Sequence, residues 1–183
     1  MYPFIRLAKD VLHARRMPAL GAFGAEHVSQ HICWPWDLDM FAELNNGRTL
    51  TLYDLGRFGM AQRVGLLRVL ADQKWAMTMA GVCVRYRRRI TAFERFTMRS
   101  RAVCWDDKFI YLEQSMWKRN GDCASHAIYR VAVTEGGKMM PPDRVAQAMG
   151  GALQSPQMPD WVAAWCQMEG TRPWPPMQDT AAY

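Results

Sequence analysis

Residues 46 to 72, NGRTLTLYDLGRFGMAQRVGLLRVLAD, contain no proline and carry apolar groups nearly all the way round at helical spacing. A helix that is apolar on every side has to be wrapped, because packing on one face alone would leave the rest of its apolar surface in water. The chain supplies the wrapping. Four alternating segments follow, near residues 78–90, 94–105, 108–119 and 123–134, separated by the turn signals TAFE, DDK and RNGD. Ahead of the helix, EHVSQHICW alternates from residue 25 and predicts one more strand. A strand, a long buried helix and a four-strand meander together predict an α+β fold, an antiparallel sheet of five or more strands curled around the helix. Along that helix Asp54, Arg57, Arg68 and Asp72 share a polar stripe, with Asp54 and Arg57 spaced to pair. Arg63 lies roughly opposite and is expected to snorkel.

At 183 residues, half of them hydrophobic, the chain fits one core domain, residues 25–135, between an N-terminal segment (1–24) and a C-terminal extension (136–183). In the first segment Arg6, Lys9, His13, Arg15 and Arg16 interrupt every apolar run. This predicts a short amphipathic helix, ended near Pro18, that packs on its own domain, with membrane-surface contact as the alternative. In the extension Asp160 is expected to cap a short helix carrying a Trp161, Trp165, Met168 stripe and stopped by Gly170. Trp174 and the prolines around it predict an extended strap over apolar surface or a partner subunit.

The balance of 23 Lys and Arg against 17 Asp and Glu favours an anionic partner. Alternation puts Val82, Val84, Tyr86 and Ile90 on one face of a strand and Arg85, Arg87 and Arg89 on the other, and Arg95, Arg99 and Arg101 repeat the pattern. The outer face is therefore read as basic. It is either a solvated surface with counter-charges such as Glu113 or a seat for phosphates or an acidic carrier protein. Apolar residues, not stacking aromatics, alternate with the arginines, which argues against nucleic acid. Five cysteines without a CxxC pair argue against a disulfide framework or a zinc knuckle and suit a reducing cytoplasm. His27 and His31 share a strand face without further ligands in sight, so no metal is expected. The chain has no GxSxG, GxGxxG, Walker or HExxH motif.

The chemical candidate is the stretch just before the long helix, WPWDLDMFAELNNG, residues 34–47. An Asn at a helix start accepts from the free donors of the first turn, and a Gly beside it admits a ligand close to the backbone. The remaining N–H groups and the helix dipole suit a carbonyl oxygen that is gaining negative charge, and an upstream carboxylate can attack that carbonyl or activate water. The same residues read equally well as architecture, with Asp37 or Asp39 shaping a turn and Asn45 and Asn46 capping the helix.

This stretch resembles the 4-hydroxybenzoyl-CoA thioesterase-like branch of the hotdog-fold acyl-CoA thioesterases, whose motif runs D-x-D-x-x-x-H-x-N-N-x-x-Y-L. Asp37, Asp39, Asn45, Asn46 and Leu50 match, YDLGRF resembles the part that follows, and the element order over roughly residues 25–135 agrees. Glu43 stands at the histidine position and Thr49 at the tyrosine position. The resemblance implies an acyl-CoA or acyl-carrier-protein thioesterase that releases a free acid and a thiol with no cofactor beyond the substrate's own coenzyme A. It also implies a homodimer, or a dimer of dimers, joined edge to edge with active sites between subunits. Asp39 falls at the nucleophile or general base, Asn46 and Gly47 at the helix start that orients the thioester, with Asn45 beside them. Glu43 either supports Asp39 through like-charge repulsion or marks weakened turnover. Arg85 and Arg87 are expected to receive coenzyme A phosphates, and apolar residues beside the helix to hold the acyl chain. A non-catalytic acyl-CoA or lipid-binding module is the alternative.

Overall fold

The computed structural model describes residues 2–21, 23–151 and 154–177. Its elements run α1 (Phe4–Ala14), β1 (His27–Ile32), a 3-10 turn (Pro35–Asp37), α2 (Asn46–Arg63), α3 (Leu66–Gln73), β2 (Ala76–Tyr86), β3 (Arg95–Trp105), β4 (Ile110–Lys118), β5 (Cys123–Glu135), β6 (Lys138–Met140), α4 (Pro142–Ala148) and α5 (Asp160–Thr171). The sheet is antiparallel in the order β1-β3-β4-β5-β2, with β6 paired to the end of β5. It wraps α2, as the all-round apolar pattern requires. Leu52, Tyr53, Leu55 and Met60 of the helix share one core with Phe96, Met98, Leu112, Met116, Tyr129 and Val131 of the strands. This is the hotdog arrangement expected from the sequence.

Close approach of helix to sheet depends on two glycines. A Cβ at Gly56 would stand 2.4 Å from the Met98 sulfur and 2.6 Å from Ser100 Oγ, and one at Gly59 would stand 2.5 Å from His27 Nε2. Only the absent side chains let α2 lie this deep.

Several elements differ from the sequence reading, each for a physical reason. The long helix is two helices, because Gly65 takes a left-handed φ of +80° and turns the chain after Arg63. The expected polar stripe is accordingly broken. Arg68 and Asp72 form an exposed pair on α3, whereas Arg57 is buried, pairs with Asp54, donates to Gln114 Oε1 at 2.8 Å and lies over the Tyr129 ring. Arg63 reaches the Pro18 carbonyl at 3.0 Å and the His27 ring. The second strand ends at Tyr86, not near residue 90, because the amides of Arg87 and Arg88 both turn to the Ala124 carbonyl. Arg87 and Arg89 therefore lie in the connection to β3 and do not continue the arginine row of β2.

The residues after Glu135 continue the sheet. Gly136 and Gly137, at φ +56° and +82°, make the tight turn into β6, and Met140, Val145 and Ala146 join the main core. The convex face is partly covered by α5, whose Val162 and Trp165 pack on Cys104, Tyr111 and Ile128. The buried face of α5 is thus not the Trp161, Trp165, Met168 stripe, since Trp161 and Met168 are exposed. Pro159, not Asp160, is the N-cap, and Asp160 is the first helical residue. Trp174 of the expected strap is exposed, and residues 178–183 lie outside the described part. The convex arginines of the central strands have counter-charges, Arg101 and His126 on Glu113 and Arg99 near Glu26. No helix among the described residues is long and apolar enough to cross a membrane.

Candidate functional site

After β1 the chain bends at Trp34, and the 3-10 turn delivers Asp37 into a fully buried position. Its carboxylate accepts from the Trp34 amide at 3.0 Å, Arg48 Nε at 2.6 Å and Arg6 Nη1 at 2.7 Å. Burial by itself would raise the Asp37 pKa, but the hydrogen bonds from Trp34, Arg48 and Arg6 outweigh it and hold the carboxyl below its usual range. This aspartate ties α1, the turn and the head of α2 together. The first motif aspartate is therefore architectural.

Asp39 sits in the next turn. One carboxylate oxygen accepts from the Phe41 amide at 2.8 Å and from the Glu43 amide at 3.5 Å, and Asp39 N donates to the Glu43 carbonyl. Ala42 at φ +57° completes this short loop, whose base is the bridge between Leu38 and Leu44. Both bonds are to Oδ1; among the described residues Oδ2 accepts no hydrogen bond, and the Arg89 guanidinium supplies an opposite charge that acts on the carboxylate. Glu43, at the position where the motif has histidine, is ion-paired with Arg89. That pair lies at the surface and fixes the loop against the segment after β2.

The helix start is built as the amide pattern suggests. Asn45 is the N-cap, its Oδ1 accepting from the Arg48 amide at 3.0 Å. A Cβ on Gly47 would come to 3.3 Å from that oxygen, so the glycine keeps the cap uncrowded. The amides of Asn46 and Gly47, in the first two helical positions, have no intrahelical acceptor and carry the positive end of the helix dipole. Thr49, at the motif's tyrosine position, is buried and donates to the Asn45 carbonyl at 3.1 Å.

A cavity of about 190 Å³ opens beside this helix start, lined by Glu43, Asn46, Thr49, Tyr86, Arg87, Arg88 and Ser125 among others. Of the residues singled out from sequence, the structure brings Glu43, Asn46 and Arg87 together here, with Asn45 and Gly47 on the same helix start. Arg85 is not among the lining residues and stands exposed on β2 opposite His126. Sequence reasoning passed over Arg88, which belongs to neither face once the strand ends, and Tyr86, whose hydroxyl donates to the Asn46 carbonyl at 3.1 Å. It also passed over Ser125, which meets the Tyr53 hydroxyl at 2.9 Å. Nothing local marks these residues, because their partners are 40 and 72 positions away.

The two β1 histidines have separate structural partners. His31 bonds Ser29 Oγ at 2.7 Å, and His27 meets Arg63. Burial first, then the guanidiniums of Arg63 and Arg6, push His27 down to about 4 and His31 to about 3, so both are neutral at pH 7. A base with a depressed folded-state pKa binds fewer protons folded than unfolded between that value and 6.5. Stability should therefore fall as pH drops below about 6.5, by roughly 3 kcal/mol for His27 alone on reaching about pH 4. Denaturant midpoints measured from pH 7.5 to 4.5 check this, and His27→Gln should flatten the early part of the curve.

Residues 33–166 match the Thioesterase-like superfamily. The chain belongs to that family. It is 36% identical over 163 residues to Protein THEM6 of Xenopus laevis, covering 88% of this chain and 77% of the relative. Among solved structures it resembles the YbaW probable thioesterase of Escherichia coli, with a TM-score of 0.63, 16% identity and coverage of 67% of this chain and 95% of that one. It also resembles the DHNA-CoA thioesterase of Staphylococcus aureus, with a TM-score of 0.59, 13% identity and coverage of 79% and 91%. At these identities the structural likeness speaks for the fold.

Proposed function

We propose that the protein hydrolyses an acyl thioester of coenzyme A or of acyl carrier protein to a free acid and a thiol. The observation that carries this reading is the head of α2. Two amides without intrahelical acceptors stand there, that of Asn46 on a cavity lined by Arg87 and Arg88, while Asp39 lies outside the cavity lining, in the loop that Glu43 and Leu44 carry back to the cavity wall. The Asn46 and Gly47 amides polarise the thioester carbonyl and hold the developing oxyanion. Asp39 either attacks the carbonyl carbon, expelling the thiolate and leaving a mixed anhydride that water then hydrolyses, or takes a proton from an attacking water, after which the C–S bond breaks. In both cases the thiolate is protonated, from solvent or by the proton held on Asp39, and the carboxylate is regenerated. Arg87 and Arg88 attract the phosphates of the carrier. Glu43 serves as the anchor of Arg89 and so positions the loop that bears Asp39. No metal or cofactor takes part in this scheme.

The family match supports thioesterase chemistry, and the named activity of the Staphylococcus aureus neighbour gives coenzyme A thioesters as the first substrates to try. The assembly we infer is a homodimer joined through β2, an eleven-residue edge strand half-buried or exposed along its whole length, whose unpaired backbone groups need a partner. A reducing, cytoplasmic setting suits the five free cysteines.

A thiol-release assay over acetyl-, hexanoyl-, palmitoyl- and benzoyl-CoA tests the reading. Turnover of at least one substrate above the spontaneous rate is expected. Saturable binding across the panel with no thiol released would replace the enzyme by an acyl-CoA-binding module.

A further inference from the structure

A second and larger hollow meets the same helix start from another side. Asn46 and Thr49 face the arginine-lined cavity, whereas Asn45, Arg48 and Thr51, on a different face of α2, line a cleft of about 930 Å³. Its other wall is the beginning of α1, with Tyr2 and Phe4, and its rim is the stacked pair Trp34 and Trp36. Phe4 and Trp36 are each 69% exposed and line the same cleft, so their apolar surfaces form one patch and not scattered single side chains. The floor is closed. Arg6 and Arg48 both donate to Asp37 there, so an apolar occupant meets a charge cluster whose carboxylate already has its hydrogen bonds. The family match begins at residue 33, after α1, and the cleft exists only because α1 is held against α2.

We infer that this α1-walled cleft is the seat of the acyl group, and that it takes a long fatty or extended aromatic acyl chain. The inference rests on the thioesterase reading. The thioester would lie across the first turn of α2, its carrier toward Arg87 and Arg88 and its acyl chain between Phe4, Trp36 and Thr51. The volume is in the upper part of the range for ligand pockets, about 300–1,000 Å³, which a two-carbon acyl group would not need.

Two substitutions bracket the cleft. Among the described residues the Thr51 hydroxyl bonds only its own helix, at the Gly47 carbonyl, so Thr51→Phe adds bulk at the hollow without breaking a tertiary hydrogen bond. Trp36→Ala removes the rim from a largely exposed position, and circular dichroism should show both variants folded. The readouts are thiol-release kcat/KM for acetyl- to stearoyl-CoA and, independently of turnover, the Kd of non-hydrolysable S-alkyl-CoA thioethers of four, ten and sixteen carbons. For the wild type, binding should tighten by up to about fourfold per methylene until the cleft is full. In Thr51→Phe the tightening should stop at a shorter chain, with the preference for sixteen over four carbons falling at least tenfold. Trp36→Ala should weaken the sixteen-carbon thioether at least fivefold. Wild-type chain-length profiles in both variants overturn the inference. So does a shift from dimer to monomer in sedimentation with the profile unchanged, since the cleft is then a subunit contact. Thioether binding that responds to Thr51→Phe while no thioester is cleaved leaves the cleft standing and removes the hydrolase. Turnover that ignores both substitutions does the reverse.

Discussion

Asp39→Asn is expected to lower thiol release by at least about a hundredfold, the usual contribution of a positioned acid or base, while leaving the unfolding midpoint where it was. The substitution is selective because of how Asp39 is held. Its Oδ1 accepts from the Phe41 amide at 2.8 Å, and an asparagine carbonyl in the same place keeps that bond and the loop. What disappears is the charge and the basicity of the second oxygen. Asp39→Ala, by contrast, should lose both the chemistry and the turn, so a comparison of the two separates reaction from architecture. Undiminished turnover by Asp39→Asn would remove Asp39 from the chemistry and leave the helix start to act on a water activated in some other way.

Asp37→Asn should do the opposite, costing the fold about 3–5 kcal/mol, because two arginines are left in a buried site without their carboxylate. Arg6 and Arg48 are 19% and 15% exposed in their side chains and cannot simply turn to water. A denaturant titration reads the loss, and hydrogen exchange should report it first in α1, which Arg6 pins to the turn. The linkage sign is fixed by the depressed carboxyl. Its contribution is complete above the unfolded aspartate pKa near 4 and fades as pH falls through the lower folded value. This acid step begins near pH 4, where the loss set by His27 is complete, but overlaps that of His31, which runs on to about 3, so the His31→Gln background is the one in which the Asp37 step is read.

The core of the architecture could be read from residue pattern alone, since a helix apolar on all sides followed by four alternating segments leaves few alternatives. The Asn45 cap was legible for the same local reason. What pattern could not reveal depends on distant partners or on small local costs. A glycine inside a helix costs only about 1 kcal/mol, so Gly65 did not announce the break. Alternation runs on through Arg87 and Arg89, yet the backbone had already left the strand for the Ala124 carbonyl. Arg57 looked like a surface partner of Asp54 because Gln114, which receives it in the core, is 57 residues away. The two motif aspartates are alike in sequence and separate only in three dimensions, one buried between arginines and the other half open in a loop.

The buried polar contacts of α2 do more than satisfy one another. Tyr53 reaches Ser125 on β5, and Arg57, one turn later, reaches Gln114 on β4. A purely greasy cylinder inside a curled sheet could rotate or slip along its axis at little expense, since apolar packing has no direction. Two bonds to different strands act as a dowel and keyway, fixing both the angular phase and the axial depth of the rod. The aim of the Asn46 and Gly47 amides is thereby set from the middle of the helix, two and three turns away, and loosening Gln114 would misalign the first turn without touching it.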